Sequence, residues 1–263
     1  MVTASVPDIV APATAGEAAE VLRAAADSGR TIMAQGSGSK SDWGGRPSSV
    51  DLVVDTRRVA GVTAHEPGDL VVIVGAGTQL RDLQATLGLA GQRLALEGGF
   101  DEGTVGGVLA TGEAGPLRLR YGSGRDLLIG VEFIRADGEV VHSGGRVVKN
   151  VAGYDLTKLQ VGGFGAFGVV TQLHLRLRAR PAARATLLAR GDRDVLTHQA
   201  RALMEQRLGA AAMELFAPAI AGEADWVLAL ELAGTEVGVE DEVARATASG
   251  DVLSPGPLRR SSC

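Results

Sequence analysis

Cysteine is almost missing from this chain. The single one, Cys263, is the last residue, so a disulfide within the chain is excluded. Aromatic residues make up only 3% of the sequence, and lysine is scarcer still: of 26 basic residues, all but Lys40, Lys149 and Lys158 are arginine. No apolar run approaches the roughly 18–20 residues that a bilayer span needs. The first 30 residues lack the basic start and apolar core of a signal peptide, so a cytoplasmic protein is expected. The net charge of −5 does not provide the basic face of a nucleic-acid binder. His65, His142, His174 and His198 are scattered, without an i, i+4 pair or cysteine neighbours, so no metal centre is expected. The chain contains neither the G-x-S-x-G elbow of a hydrolase nor the G-x-x-x-x-G-K-[ST] of a phosphate loop.

What is present in excess is glycine, at 37 residues about twice the ~7% of average usage. The 263 residues suffice for one large domain or two small ones. Thr14-Ala-Gly-Glu17 reads as a capping box that opens a helix through Ser28, with Gly29 as its stop. Thr78 is expected to cap a second helix carrying Leu80, Leu83 and Leu87 at helical spacing. Residues 127–144 form two apolar runs around Asp137-Gly138, a hairpin signal. Over Val169–Arg178, leucines at 173, 175 and 177 alternate with Gln172, His174 and Arg176, the pattern of a half-solvated strand. Beyond Pro181 glycines thin out, and residues 186–250 read as a small unit of strand, helix, strand, strand and helix.

Three glycine-rich segments carry the functional signal. In "QGSGSK" (35–40), small residues allow successive backbone N–H groups to face one concavity, as a phosphate cradle requires. A flexible turn would have the same composition. In "EGTVGGVLATGEAG" (102–115), Gly106-Gly107 permits close backbone approach, with Thr104 and Thr111 as neighbouring donors; a tight crossing of backbones in the core is the alternative. The third segment, "GGRVVKNVAGYDLTKLQVGGFGAFGVVT" (144–171), holds seven glycines and two of the three lysines. Its Gly163, Gly165 and Gly168 match G-x-G-x-x-G, but a period-two stretch follows where a dinucleotide fold needs a helix, so that reading fails.

In this order and spacing, the segments resemble the FAD-binding domain of the vanillyl-alcohol-oxidase/PCMH flavoprotein superfamily over roughly residues 5–182. The K-N-x-A-G-Y-D-L core, with upstream "GTVGGVLATGEAGPLRLRYGSGRDLLIGV", resembles more narrowly the FAD-binding E subunits of bacterial glycolate oxidases. The resemblance implies an α+β chain. A PCMH-type domain of two α/β subdomains would span 1–182, a small α+β cap of about half the usual length 183–250, and a disordered tail 251–263. It implies FAD. Gly36, Ser37, Gly38, Ser39 and Lys40 would wrap the pyrophosphate, and Thr104, Val105, Gly106, Gly107, Thr111, Gly112 and Gly115 would follow the flavin and ribityl chain. Gly163, Gly165, Gly168 and Val169 would lie on the adenine side. Lys149, Asn150, Tyr154 and Asp155 would stand near the isoalloxazine or lock the loop behind it, with Asn150 counted among the cofactor contacts and Lys149, Tyr154 and Asp155 as candidate catalytic groups.

The pyrophosphate-loop region has no histidine of the kind covalent-flavin members often carry, so the FAD is expected to be non-covalent. The H-x-G-D-G-type metal and base motif of the catalytic 2-hydroxy-acid dehydrogenases is absent. The expected activity is therefore oxidation of a small 2-hydroxy acid as one subunit of an assembly, with a homologous flavoprotein subunit and an iron-sulfur electron-transfer subunit as partners. A stand-alone FAD oxidase or dehydrogenase of another small alcohol and a non-catalytic assembly subunit are the alternatives.

Overall fold

A computed structural model describes residues 6–45, 47, 49–98, 103–145, 155–248, 254–255 and 259–260. They divide into two compact units. The first runs to Ala114 and resumes over Ser123–Arg178; the second combines Gly115–Gly122 with the residues from Ala179 onward.

In the first unit, Asp8–Val10, Leu52–Asp55 and Ile32–Gln35 form a three-stranded parallel sheet in that order. Parallel neighbours need a crossover, and the helix Ala15–Asp27 lies between its first and last strands in sequence. The Thr14 hydroxyl caps this helix by accepting the Glu17 N–H at 3.1 Å, while the Glu17 carboxylate accepts from Ala13 N–H rather than from Thr14. Gly29, just past the end, takes the left-handed φ of 65° that lets the chain leave the helix. Ala18, Ala19, Leu22 and Ala25 pack on Leu52 and Val54.

The larger sheet is antiparallel, in the order Val62–Glu66, Val71–Gly75, Val169–Arg176, Leu128–Ile134, Val140–Gly144. In Val169–Arg176 the alternation is as the sequence suggests: Thr171, Leu173 and Leu175 are buried and Gln172, His174 and Arg176 half-buried. The helix Leu80–Gly88 places Leu80, Leu83 and Leu87 against Val72, Val74 and Leu175. Leu83 and Leu87 are fully buried, each contributing about 1.5–3 kcal/mol. Thr78, however, does not cap this helix. Gln79 holds the N-cap position without a side-chain bond, and the Thr78 hydroxyl instead accepts the Gly61 N–H at 2.8 Å. The hairpin closes at Asp137-Gly138, where Gly138 has φ 79° and a Cβ would meet the Ala19 carbonyl oxygen at 2.7 Å.

The second unit has an antiparallel core sheet of Ala210–Phe216, Trp226–Gly234 and Ala183–Gly191, with helices Arg193–Glu205 and Glu236–Ala248. Leu187, Leu228, Leu230 and Leu232 pack with Leu196, Leu203 and Val239. The segment Gly115–Gly122, which the sequence placed with the first domain, belongs here. Leu117 is buried with Ala211 and Ala233, and the Arg120 guanidinium donates to the carbonyls of Gly209 and Ala233. Among the described residues, no helix is long and apolar enough to cross a membrane.

Candidate functional site

The first unit contains a cavity of about 510 Å³, within the roughly 300–1,000 Å³ of small-molecule and cofactor sites. Three stretches distant in sequence supply its walls: Ile32–Ser41 with Trp43, Gly44 and Gly45; Thr104 to Thr111 on the helix Val105–Thr111; and Phe164, Gly165, Gly168 and Val170.

The first wall is a loop after a strand. Ser41 N–H and Ser41 Oγ both donate to the Gly38 carbonyl, closing a turn. Gly38 sits at φ 78°, where a Cβ would also strike Gln35 Nε2 at 2.9 Å. Ser37 and Ser39 hydroxyls lie 3.4 Å apart at the cavity edge. Lys40 is the single charged residue among the described lining residues. Its ammonium pairs with the Glu113 carboxylate at 2.7 Å, with side chains only 5% and 11% exposed, and stands 5.8 Å from the Trp43 ring centroid.

Behind that loop lies the helix Val105–Thr111. Thr104 is its N-cap, accepting the Gly107 N–H at 3.2 Å, and is 1% exposed. Gly106 N–H donates to the Ala76 carbonyl at 2.8 Å, and a Cβ on Gly106 would lie 2.8 Å from the Ala76 Cβ. Glycine at 106 is thus required by a backbone crossing. Glycine at 107 has a different cause: an added Cβ would meet nothing but Thr104 Oγ1, at 3.0 Å, and otherwise open cavity. Thr111, read from the sequence as a donor to a ligand, turns its hydroxyl back onto the Gly107 carbonyl at 2.9 Å.

The third wall docks on the end of that helix. Gly162 N–H donates to the Leu109 carbonyl at 3.0 Å and Phe164 N–H to the Ala110 carbonyl at 2.8 Å. Gly112, left-handed at φ 67°, approaches Gly162 so closely that a Cβ would fall 3.2 Å from its Cα. Phe164 itself has φ 50°, an uncommon conformation for an aromatic residue, found mainly where structure around it over-determines it. Its ring stands half exposed beside Gly44.

Of the residues singled out in the sequence, Gly36, Ser37, Gly38, Ser39, Lys40, Thr104, Gly106, Gly107, Thr111, Gly165 and Gly168 line the cavity. Val105 and Val169 are instead core residues, and Gly112 and Gly163 serve backbone approaches. Gly115 falls in the second unit. Asp155 caps the short helix Leu156–Gln160, accepting the Lys158 N–H at 3.2 Å and pairing with Lys158 Nζ at 3.3 Å. Lys149, Asn150 and Tyr154 lie outside the described residues. Sequence reasoning missed Gln35, Trp43, Thr56, Ala76 and Phe164, which also line the cavity. Thr56 follows Asp55, a buried residue whose carboxylate accepts from Arg57 N–H, Nε and Nη2. Those Arg57 bonds hold the Asp55 carboxyl below the usual aspartate range, although burial works against them.

The lining suits a cofactor with a large apolar surface and an anionic group. It offers hydroxyls at Ser37 and Ser39, one lysine, no acidic side chain among the described residues, and open space left by the missing side chain of Gly107. Comparison with known proteins gives the same class. The family model "FAD binding domain" matches residues 7–144. The chain therefore belongs to the FAD binding domain family, and its cofactor is FAD. The fold is of the PCMH type, similar in structure to an alkyldihydroxyacetonephosphate synthase with a TM-score of 0.80 at 17% identity, covering 95% of this chain and 51% of that one.

Among curated proteins, the glycolate oxidase subunit GlcE of Escherichia coli strain K12 is 40% identical over 158 residues, covering 59% of this chain and 45% of that protein. The glycolate oxidase subunit GlcD of Bacillus subtilis strain 168 is 30% identical over 187 residues, 70% of this chain and 40% of that protein. A D-lactate dehydrogenase of Archaeoglobus fulgidus is 30% identical over 169 residues, 64% and 38% respectively. The chain thus spans less than half the length of these relatives.

Proposed function

We propose that this chain is the FAD-binding part of an oxidoreductase that oxidises a small 2-hydroxy acid, of the glycolate or D-lactate kind. The observation that carries the reading is the 40% identity to a glycolate oxidase subunit, on a chain whose first unit encloses a cavity suited to FAD. Bound FAD supplies a two-electron acceptor for the hydride on the substrate's α-carbon. The residues of this chain do the holding. The Gly38–Ser41 turn presents hydroxyls and small residues to the diphosphate, Gly107 leaves room beside it, and Trp43 and Phe164 offer apolar faces at the same cavity. No histidine lines the cavity among the described residues, which supports non-covalent binding.

The proton that must leave the substrate hydroxyl needs a base, and a positioned base contributes about 10²–10⁴-fold. Asp155, the one candidate base among the described residues, caps the helix Leu156–Gln160 and does not line the cavity. We therefore assign the chain to an assembly in which a homologous flavoprotein subunit completes the oxidation and an iron-sulfur subunit receives the electrons. A stand-alone dehydrogenase is the second reading, favoured by the match to a D-lactate dehydrogenase. Turnover of glycolate and D-lactate with an artificial electron acceptor, by the lone chain and by the assembly purified from its native source, decides between them.

A further inference from the structure

The strand Val169–Arg176 contributes Val170 to the cavity lining and leaves it one residue later. There its pairing with Leu128–Ile134 slips. Glu132 lies opposite Gln172 and Phe133 opposite Val170, so Thr171 is an extra residue, a β-bulge. Bulges bend a strand and are common beside functional sites. This one also supports a second stretch of lining: the Thr171 carbonyl accepts the Ala76 N–H at 2.9 Å, and the Ala76 carbonyl accepts the Gly106 N–H at 2.8 Å. Ala76 and Gly106 both line the cavity.

One carboxylate holds the bulge. The Thr171 hydroxyl, on a residue 1% exposed, donates to Glu132 Oε1 at 2.6 Å, with the Glu132 carbonyl as a second acceptor at 3.2 Å. The other carboxylate oxygen, Oε2, meets His142 Nε2 at 2.9 Å. The Glu132 side chain is 18% exposed and that of His142 70%. An unbroken run of hydrogen bonds thus leads from a surface imidazole through Glu132, Thr171 and Ala76 to Gly106. Neighbouring charges have other partners. His174 lies over Gly130 and bonds Gln172 at 3.4 Å. On the helices packed against these strands, Lys158 pairs with Asp155, Asp126 accepts from Ser123 beside Arg125, and Arg23 donates to the Gly138 carbonyl. At the hairpin turn Arg135 pairs with Asp137 and Glu139.

We propose that Glu132 is a positioning residue for the cavity wall at Val170, Ala76 and Gly106, and that the charge on His142 sets how firmly it holds. The proposal rests on the FAD reading of the cavity. With His142 protonated, the outer carboxylate oxygen has a counter-charge and the inner one stays on Thr171. With His142 neutral, the carboxylate keeps a weaker outer bond and turns more freely toward water. The wall is then less often in the form that receives FAD, and the apparent affinity falls by that fraction. By linkage, FAD binding takes up a proton.

The test reads FAD affinity from about pH 5.5 to 8, the interval in which histidines change charge. Beside it, the protection of the Ala76 and Gly106 amides from hydrogen exchange is measured in the empty protein. The parent should bind FAD about two- to fivefold more tightly at the acid end, the range of a partly exposed ion pair. His142→Gln should lose that profile, and His174→Gln should keep it. Glu132→Ala should speed exchange at both amides and weaken FAD about three- to tenfold, a share of what a hydrogen bond to a charged group contributes. Glu132→Gln, which still offers Thr171 an acceptor, should restore most of the protection and affinity but not the pH profile. Thr171→Val, close in shape but without the hydroxyl, should repeat Glu132→Ala, which keeps the test valid if one of the two fails to fold. Parent-like exchange at Ala76 in these variants would overturn the proposal, as would a pH profile that survives in His142→Gln. Lower melting with unchanged FAD affinity would overturn it too, leaving Glu132 a brace between strands. If Glu132→Ala speeds both exchanges but even the parent takes up no FAD, the positioning stands and the flavin reading fails.

Discussion

Gly36 and Thr104 stand so close that no side chain fits between them: a Cβ on Gly36 would overlap the Thr104 hydroxyl oxygen. That hydroxyl is already fixed, since it accepts the Gly107 N–H at the start of the helix Val105–Thr111. Gly36→Ala is therefore expected to force apart two cavity walls and to cost about 1–3 kcal/mol, as overpacking does. Thermal unfolding of the variant against the parent measures this. An unchanged melting temperature would mean that Thr104 yields freely.

Gly107 gives the complementary prediction. An added Cβ meets only Thr104 Oγ1, at 3.0 Å, and then the cavity. Within a helix, alanine is favoured over glycine by about 0.5–1 kcal/mol. Gly107→Ala should thus melt near or above the parent, and Gly107→Val should retain its fold, while FAD retention falls with side-chain size. A Gly107→Val protein that titrates with FAD as the parent does would remove this helix from the cofactor wall.

Acid should loosen the turn Asp55–Arg57, whose Thr56 lines the cavity. The Asp55 carboxyl is held below its ordinary range, chiefly by the Arg57 hydrogen bonds, with burial opposing them. A depressed folded-state value means the stabilisation is complete above the unfolded value of about 3.9. It is lost as pH falls through the lower, folded value. Asp55→Asn should lower the melting temperature at pH 7 and flatten its decline below about pH 4. A parallel decline in parent and variant would show that other carboxylates govern acid stability.

Asp155 is expected to behave as a helix cap. Asp155→Asn preserves an acceptor for the Lys158 N–H and should leave FAD affinity unchanged. Asp155→Ala should cost about 1 kcal/mol. If Asp155→Asn instead abolishes turnover in the assembled enzyme without changing its melting temperature, Asp155 is the base and the accessory assignment fails.

Local signals in the sequence were sufficient where the physics is local. The Thr14 cap, the Gly138 turn and the period-two strand Val169–Arg176 each depend on residues a few positions apart. That the three glycine segments meet at one cavity was implied by the family resemblance alone, since each by itself read equally as a turn or a backbone crossing. What stayed hidden was pairing between distant side chains. Nothing in the periodicity around Thr78 reveals that Gly61 claims its hydroxyl, or that Glu113 lies against Lys40. Glycine itself was ambiguous for the same reason. Gly106 and Gly112 permit backbone crossings while Gly107 faces open space, and only the neighbours distinguish them. The attachment of Gly115–Gly122 to the second unit depends on Arg120 reaching two carbonyls about a hundred residues away.

The central claim, that this cavity holds FAD without a covalent bond, is tested most directly by the absorption spectrum of the purified protein before and after acid precipitation. The account predicts a yellow protein, or a colourless one that takes up added FAD at about one per chain, and release of all the flavin into the supernatant. Flavin colour that stays in the pellet would contradict the non-covalent site, and a colourless protein indifferent to added FAD would contradict the cofactor itself.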